Sequence, residues 1–296
     1  MTRSLRQVLL SATAMIVAAL HGVTAAKPSA GCGKTPTLIT GGAATTPLTL
    51  TSNGKTRQYY VKLPDNYDNS HPYRLIFTLH ALGGNAQQVT VGTGGYLPWY
   101  GIPALANNDT VGAVYISPNG LNNGWANQGG EDVAFLKAVM DTVESDLCID
   151  QNLRFSTGFS YGAAMSYSLA CSLGRQIRAV AVLSGNPTIS GCAGGTEPVA
   201  YYGQHGIKDS VLPIAGGRQM RDRFVKNNGC AAQSSAPPEP ASGSGKHVKT
   251  AYTGCDPNYP VVWNAFDGDH TPQPKDQGAQ NTFSAVETWE FFSQFK

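Results

Sequence analysis

Residues 153–173 constrain the fold of this chain more than any other stretch. The apolar run Leu153-Arg154-Phe155-Ser156-Thr157 leads into Gly158-Phe159-Ser160-Tyr161-Gly162, and small residues from Ala163 to Leu173 lead out. This is the pattern of a strand that turns so sharply into a helix that a serine is held exposed at the tip. The flanking glycines are a steric requirement, because side chains there collide inside the turn. Five residues of this kind occur readily in a chain with 34 glycines. The strand before and the helix after are what give the pattern its weight.

Further apolar, β-rich runs recur at Tyr59–Leu63, Leu75–Leu79, Ala113–Ser117, Arg178–Leu183, Val199–Tyr202 and Val261–Phe266. Amphipathic helical stretches separate several of them, notably Asp132–Asp146, Tyr161–Leu173, Ile214–Asn227 and Thr282–Phe295. Short buried strands alternating with helices predict a doubly wound, mostly parallel sheet of the α/β class. The Pro/Ser/Gly-rich segment Ala232–Gly245 looks like a linker, but too little chain follows it for a second domain. It reads as a surface loop, and residues 27–296 as one catalytic domain.

Residues 1–26 read as a secretory signal peptide. Arg3 and Arg6 precede a largely apolar core from Val8 to Leu20, and Thr24-Ala25-Ala26 places small residues at the cleavage site. The core is too short for a membrane span. Its removal takes away two arginines and no acid, so the formal charge of +2 falls to zero. No electrostatic signal points to nucleic acid or to an anionic membrane. The oligomeric state has no signature in the sequence.

Six cysteines, Cys32, Cys148, Cys171, Cys192, Cys230 and Cys255, remain in the secreted portion, an even number that favours three disulfides. No Cys/His group has zinc-ligand spacing, and no metal or cofactor is expected. Chain direction suggests pairing Cys148, just before the 153–157 strand, with Cys171, near the end of the following helix. Cys230 with Cys255 and Cys32 with Cys192 complete the set. Asn108-Asp109-Thr110 is a glycosylation sequon.

A serine hydroxyl is a poor nucleophile near neutral pH, so Ser160 needs a base in reach and an acid to orient that base. In doubly wound hydrolases the chain order is Ser, then Asp or Glu, then His. His205, His247 and His270 follow Ser160. His270 lies in Phe266-Asp267-Gly268-Asp269-His270-Thr271-Pro272, directly after the last apolar strand, where a catalytic histidine belongs. His247 reads as a solvated histidine, and His205 as structural. Asp209 comes just after the strand Val199–Tyr202 and is the expected acid. Asp222 sits mid-helix beside two arginines, and Asp267 and Asp269 read as shaping the His270 loop.

Acyl transfer also needs two backbone N–H groups for the developing oxyanion. Tyr161, after the nucleophile, is one candidate. The loop His80-Ala81-Leu82-Gly83-Gly84 after the Leu75–Leu79 strand supplies the other, with Leu82 preferred and Ala81 next. Tyr100 in Trp99-Tyr100 and Trp125 in Gly124-Trp125-Ala126-Asn127 are candidate substrate-stacking aromatics on loops. Asp132 is expected to cap the following helix.

Taken in order, His80-Ala81-Leu82-Gly83-Gly84, Gly124-Trp125-Ala126-Asn127, Gly129-Gly130-Glu131-Asp132-Val133, Gly158 to Gly162, His205-Gly206 with Asp209, and Asp267 to Pro272 resemble the secreted fungal feruloyl esterases. These belong to the α/β-hydrolases, alongside polyhydroxybutyrate depolymerase-like esterases and acetyl xylan esterases. The resemblance covers the mature chain. It implies the α/β-hydrolase fold, a Ser160–Asp209–His270 triad, and release of ferulate and related hydroxycinnamates from feruloylated arabinoxylan or pectin. One departure is Ala81, where many relatives carry glycine. The rival expectations are an acetyl xylan esterase or polyester depolymerase with the same machinery. A secreted non-catalytic binding protein is disfavoured, because such a protein need keep none of the triad.

Overall fold

The apolar runs build one nine-stranded sheet in the computed structural model, which describes residues 25–296. The strands are β1 (Leu48–Ser52), β2 (Lys55–Lys62), β3 (Tyr73–Leu79), β4 (Ala113–Pro118), β5 (Ile149–Phe159), β6 (Ala179–Leu183), β7 (Ala200–Gly206), β8 (His247–Ala251) and β9 (Val261–Phe266). They run in the order β1-β2-β4-β3-β5-β6-β7-β9-β8. Every pairing from β4 through β3, β5, β6 and β7 to β9 is parallel, and the edges add antiparallel strands. The expected signal peptide falls almost wholly outside the described residues.

The main helices are α1 (Ala86–Val91), α2 (Ile102–Ala106), α3 (Glu131–Asp146), α4 (Tyr161–Leu173), α5 (Ile214–Asn227) and α6 (Ser284–Ser293). Both faces of the central strands are covered, which is why β3 and β4 read as unbroken buried runs. The pleat sorts their side chains. Ile76 of β3 joins the cluster holding Phe291 and Phe292 of α6, while Leu75 and Phe77 join the one holding Phe135 of α3 and Met165 of α4. Farther along, Val180 and Tyr201 pack with Tyr167 of α4 and Phe224 of α5.

The sequence reading omits β1. Its hairpin to β2 turns at Asn53 (φ 50°) and Gly54 (φ 72°), an Asn-Gly pair with both residues in the left-handed region that two-residue hairpins favour. Asp132 also departs from expectation. It lies in the first turn of α3, but its carboxylate binds Arg57 (2.7 Å) and accepts the Asn127 N–H (2.8 Å). The Asn127 side chain caps the helix instead, accepting from the N–H groups of Asp132 and Val133.

Two of the three expected disulfides are corrected. The bonds are Cys32–Cys148, Cys171–Cys192 and Cys230–Cys255. The N-terminal arm lies along the start of β5, where Ser29 N–H donates to the Ile149 carbonyl and Gly31 N–H to that of Glu144, so Cys32 reaches Cys148. Cys171 is met by the 192–195 loop, whose Gly195 N–H donates to the Cys171 carbonyl (3.0 Å). Chain direction alone does not reveal which loop arrives at each end. The 232–245 segment is a surface loop pinned to α5 by Arg218 and Glu239 (2.6 Å).

Candidate active site

Ser160 stands at the end of β5, where the order of the parallel strands reverses between β3 and β5, the switch point at which doubly wound sheets bind their ligands. Its backbone is forced to φ 57° and ψ −113°, a conformation a side-chain-bearing residue holds only when its surroundings dictate it. Leu183 of β6 accepts its N–H at 2.9 Å. The glycines are needed for the expected reason. A Cβ at Gly158 would stand 2.5 Å from the Gly162 carbonyl carbon, and one at Gly162 would collide with the Leu79 carbonyl.

Asp209 and His270 arrive on loops after β7 and β9. His270 Nδ1 lies 2.7 Å from Asp209 Oδ2, which leaves Nε2 as its free nitrogen. The His270 ring packs 4.5 Å, centroid to centroid, from Phe159, the residue before Ser160. Asp209 is fully buried and saturated with donors. Oδ1 accepts the N–H groups of Val211 (3.0 Å) and Leu212 (2.7 Å). Oδ2 is also 3.2 Å from His205 Nε2. Burial opposes its ionisation, but the bonds from His205, His270 and Leu212 N–H outweigh burial and hold the carboxyl well below the ordinary carboxylate range. Asp269 and Asp267 shape the loop as expected. Asp269 accepts the N–H groups of Ser210 and His270, and Asp267 accepts that of Gly245 and pairs with Lys208.

The loop after β3 is held by two outside partners and one bond of its own. Ala81 N–H donates to the Tyr96 hydroxyl (2.8 Å), Gly83 N–H to the Asn123 carbonyl (2.8 Å) and Gly84 N–H to the Ala81 carbonyl (3.1 Å). Among the described residues, none accepts the Leu82 N–H. The loop's left-handed position is Gly83 (φ 76°), so alanine at 81 meets no conformational demand. The Tyr161 N–H heads α4, where first-turn N–H groups have no partner within the helix.

His80 anchors this loop. It is buried; Nε2 accepts the Gly120 N–H (2.9 Å), which fixes the proton on Nδ1, and Nδ1 donates to the Ala81 carbonyl (2.8 Å). Burial lowers its pKa from 6.5 to about 4, against the opposing Ala81 bond.

Trp125 and Tyr100 are corrected. Trp125 has no exposed surface; its indole N–H donates to the His80 carbonyl (2.8 Å) and its ring lies against the His80 imidazole. Tyr100 is buried, and its hydroxyl donates to the Leu79 carbonyl (2.7 Å) while accepting the Phe159 N–H (2.9 Å). Both aromatics brace the loops rather than face a substrate. His247 is likewise not simply solvated, since it pairs with Asp276 (2.9 Å) and lies against Phe283. Tyr96 was missed; no local pattern marks a hydroxyl that acts 15 residues away in sequence.

No family model matches the chain. A curated relative, feruloyl esterase D of Neurospora crassa, is 51% identical over 285 residues, 95% of this chain and 95% of that one. The chain belongs to the feruloyl esterases. It is therefore a carboxylic ester hydrolase. Feruloyl esterase C of Emericella nidulans is 48% identical over 92% of each chain. Among solved structures, a ferulic acid esterase from Anaeromyces mucronatus matches at a TM-score of 0.57 with 15% identity, covering 86% of this chain and 90% of that one. The acetyl xylan esterase of Aspergillus awamori matches at 0.58 with 18% identity, covering 85% and 100%. At such identities the two structures speak for this esterase's α/β-hydrolase fold. Among its described residues no helix is long and apolar enough to cross a membrane.

Proposed function

We propose that this feruloyl esterase cleaves hydroxycinnamoyl esters of plant cell-wall polysaccharides through Ser160, His270 and Asp209. His270 Nε2 takes the Ser160 proton as the hydroxyl attacks the ester carbonyl, and Asp209 holds the imidazole in the required tautomer. The N–H groups of Leu82 and Tyr161 receive the oxyanion. The sugar alcohol leaves with the proton from His270, and water activated by the same nitrogen then releases ferulate from Ser160. The observation that carries the reading is the 2.7 Å bond from His270 to a buried, donor-saturated Asp209, with the His270 ring packed against Phe159, the residue before a serine held in a strained turn.

The substrate surface is supported by two side chains not assigned to that role from the sequence. Leu82 is 67% exposed, an unusual position for leucine, and a Cβ built on Gly124 would meet both Leu82 Cδ1 (3.3 Å) and the Tyr161 ring (2.9 Å). An aliphatic chain and a phenol ring thus converge beside the proposed oxyanion donors, a surface suited to a planar aromatic acyl group. The natural partners are feruloylated arabinoxylan or pectin fragments, met outside the cell after signal-peptide removal; the three disulfides suit that oxidising setting. Hydrolysis of methyl ferulate should exceed that of a short acetyl ester on kcat/KM. Turnover of the acetyl ester alone would place the enzyme with the acetyl xylan esterases instead.

A further inference from the structure

We infer that His205 is a positioning residue for catalysis, a second histidine that holds Asp209 in the geometry His270 requires. The inference rests on Asp209 being the triad acid. His205 Nε2 lies 2.7 Å from the Leu212 carbonyl, which only accepts, so this nitrogen carries the proton. The same nitrogen also stands 3.2 Å from Asp209 Oδ2, the oxygen that binds His270 Nδ1, so its N–H dipole lies beside that oxygen. His205 therefore ties together both ends of the turn from 209 to 212 whose N–H groups grip Oδ1.

The fold makes room for this ring at a cost to itself. Gly217 lies inside α5, where glycine disfavours helix, and a Cβ there would run into His205 Nδ1. On another side the Trp263 ring lies 6.4 Å from the His205 ring. His205 Nδ1 is buried and accepts no bond among the described residues, so the imidazole's one polar engagement is through Nε2. The charged groups around the pair are Asp269 beside His270, Lys208 paired with Asp267, and Arg221 of α5, stacked over Trp263.

The His205 N–H beside Asp209 Oδ2 draws charge from the oxygen that stabilises the imidazolium of His270. Without it, that oxygen favours protonated His270 more strongly, so the acid limb of the pH profile of kcat/KM moves to higher pH. His205→Leu should lower kcat about ten- to a hundredfold, the scale of one hydrogen bond to a charged group, with KM little changed. His205→Gln, whose amide can donate to both Leu212 and Asp209, should recover most of kcat and restore the acid limb. Gly217→Ala, which keeps the histidine but displaces its ring, should repeat the His205→Leu phenotype.

In the unmodified enzyme, nitrogen NMR of labelled histidine should show the neutral His205 ring protonated on Nε2, assigned by its loss in His205→Gln. An Nδ1–H tautomer overturns the inference whether or not His205→Leu folds. So does wild-type kcat and an unmoved acid limb in His205→Leu, or a kcat loss that His205→Gln does not relieve. Asp209→Asn separates the two readings. If it keeps full activity, the triad assignment fails; if it is inactive while His205→Leu matches wild type, only the role of His205 fails.

Discussion

At the residue scale, function concentrates on side chains whose protonation and orientation the protein dictates. Ser160→Ala should abolish esterase activity and labelling by an organophosphonate, and Asp209→Asn should lower kcat by about four orders of magnitude, the effect of a wrong imidazole tautomer. Full activity in Ser160→Ala would end the proposed mechanism. His80 has a different signature. Its pKa falls from 6.5 in the unfolded chain to about 4 in the folded one, so between those values the unfolded state binds more protons. Stability is thus complete above pH 6.5 and lost as pH falls toward 4, by at most about 3 kcal/mol from this group. Urea unfolding at pH 4.5 and 7 should show the difference, and His80→Gln should shrink it.

At the scale of elements, the turn from β5 into α4 leaves no room for a side chain at either glycine. Gly162→Ala should therefore cost activity by displacing Ser160, with loss of organophosphonate labelling as the measurement. Gly124→Ala offers a milder contrast. Its methyl group would push against the Tyr161 ring and Leu82, so KM for methyl ferulate should rise several-fold with a smaller change in kcat. An unchanged KM would argue against that surface as the acyl site. The central strands were legible in the sequence because burial on both faces writes largely apolar runs into β3, β4 and β6, between which the triad-bearing elements fall. β1 was passed over although Leu48-Thr49-Leu50-Thr51 alternates apolar and polar residues ahead of the Asn53-Gly54 pair, because a short, half-exposed edge strand shows no continuous apolar run. Trp125 and Tyr100 were misassigned for a related reason. An aromatic on a loop looks the same in sequence whether it faces solvent or plugs the core, and here the partners are backbone groups of His80, Leu79 and Phe159.

At the scale of the whole molecule, long-range covalent and polar ties hold the loops that form the site. Cys32–Cys148 joins residues 116 apart and pins the N-terminal arm to the start of β5. Replacing both cysteines by alanine should lower stability by about 4–5 kcal/mol, the loop-closure entropy for that separation, read from the denaturation midpoint. The intact enzyme and the variant should share the same KM for methyl ferulate, because the arm lies at the start of β5 and Ser160 at its end. Local sequence is enough for the alternation of strand and helix, the elbow at Ser160 and the order of its partners, because these follow from periodicity and steric limits within a few residues. Which cysteines meet, which aromatics are buried and that two histidines converge on Asp209 emerge only from the folded chain. Those outcomes depend on where distant loops end in space, and no pattern of neighbouring residues records that.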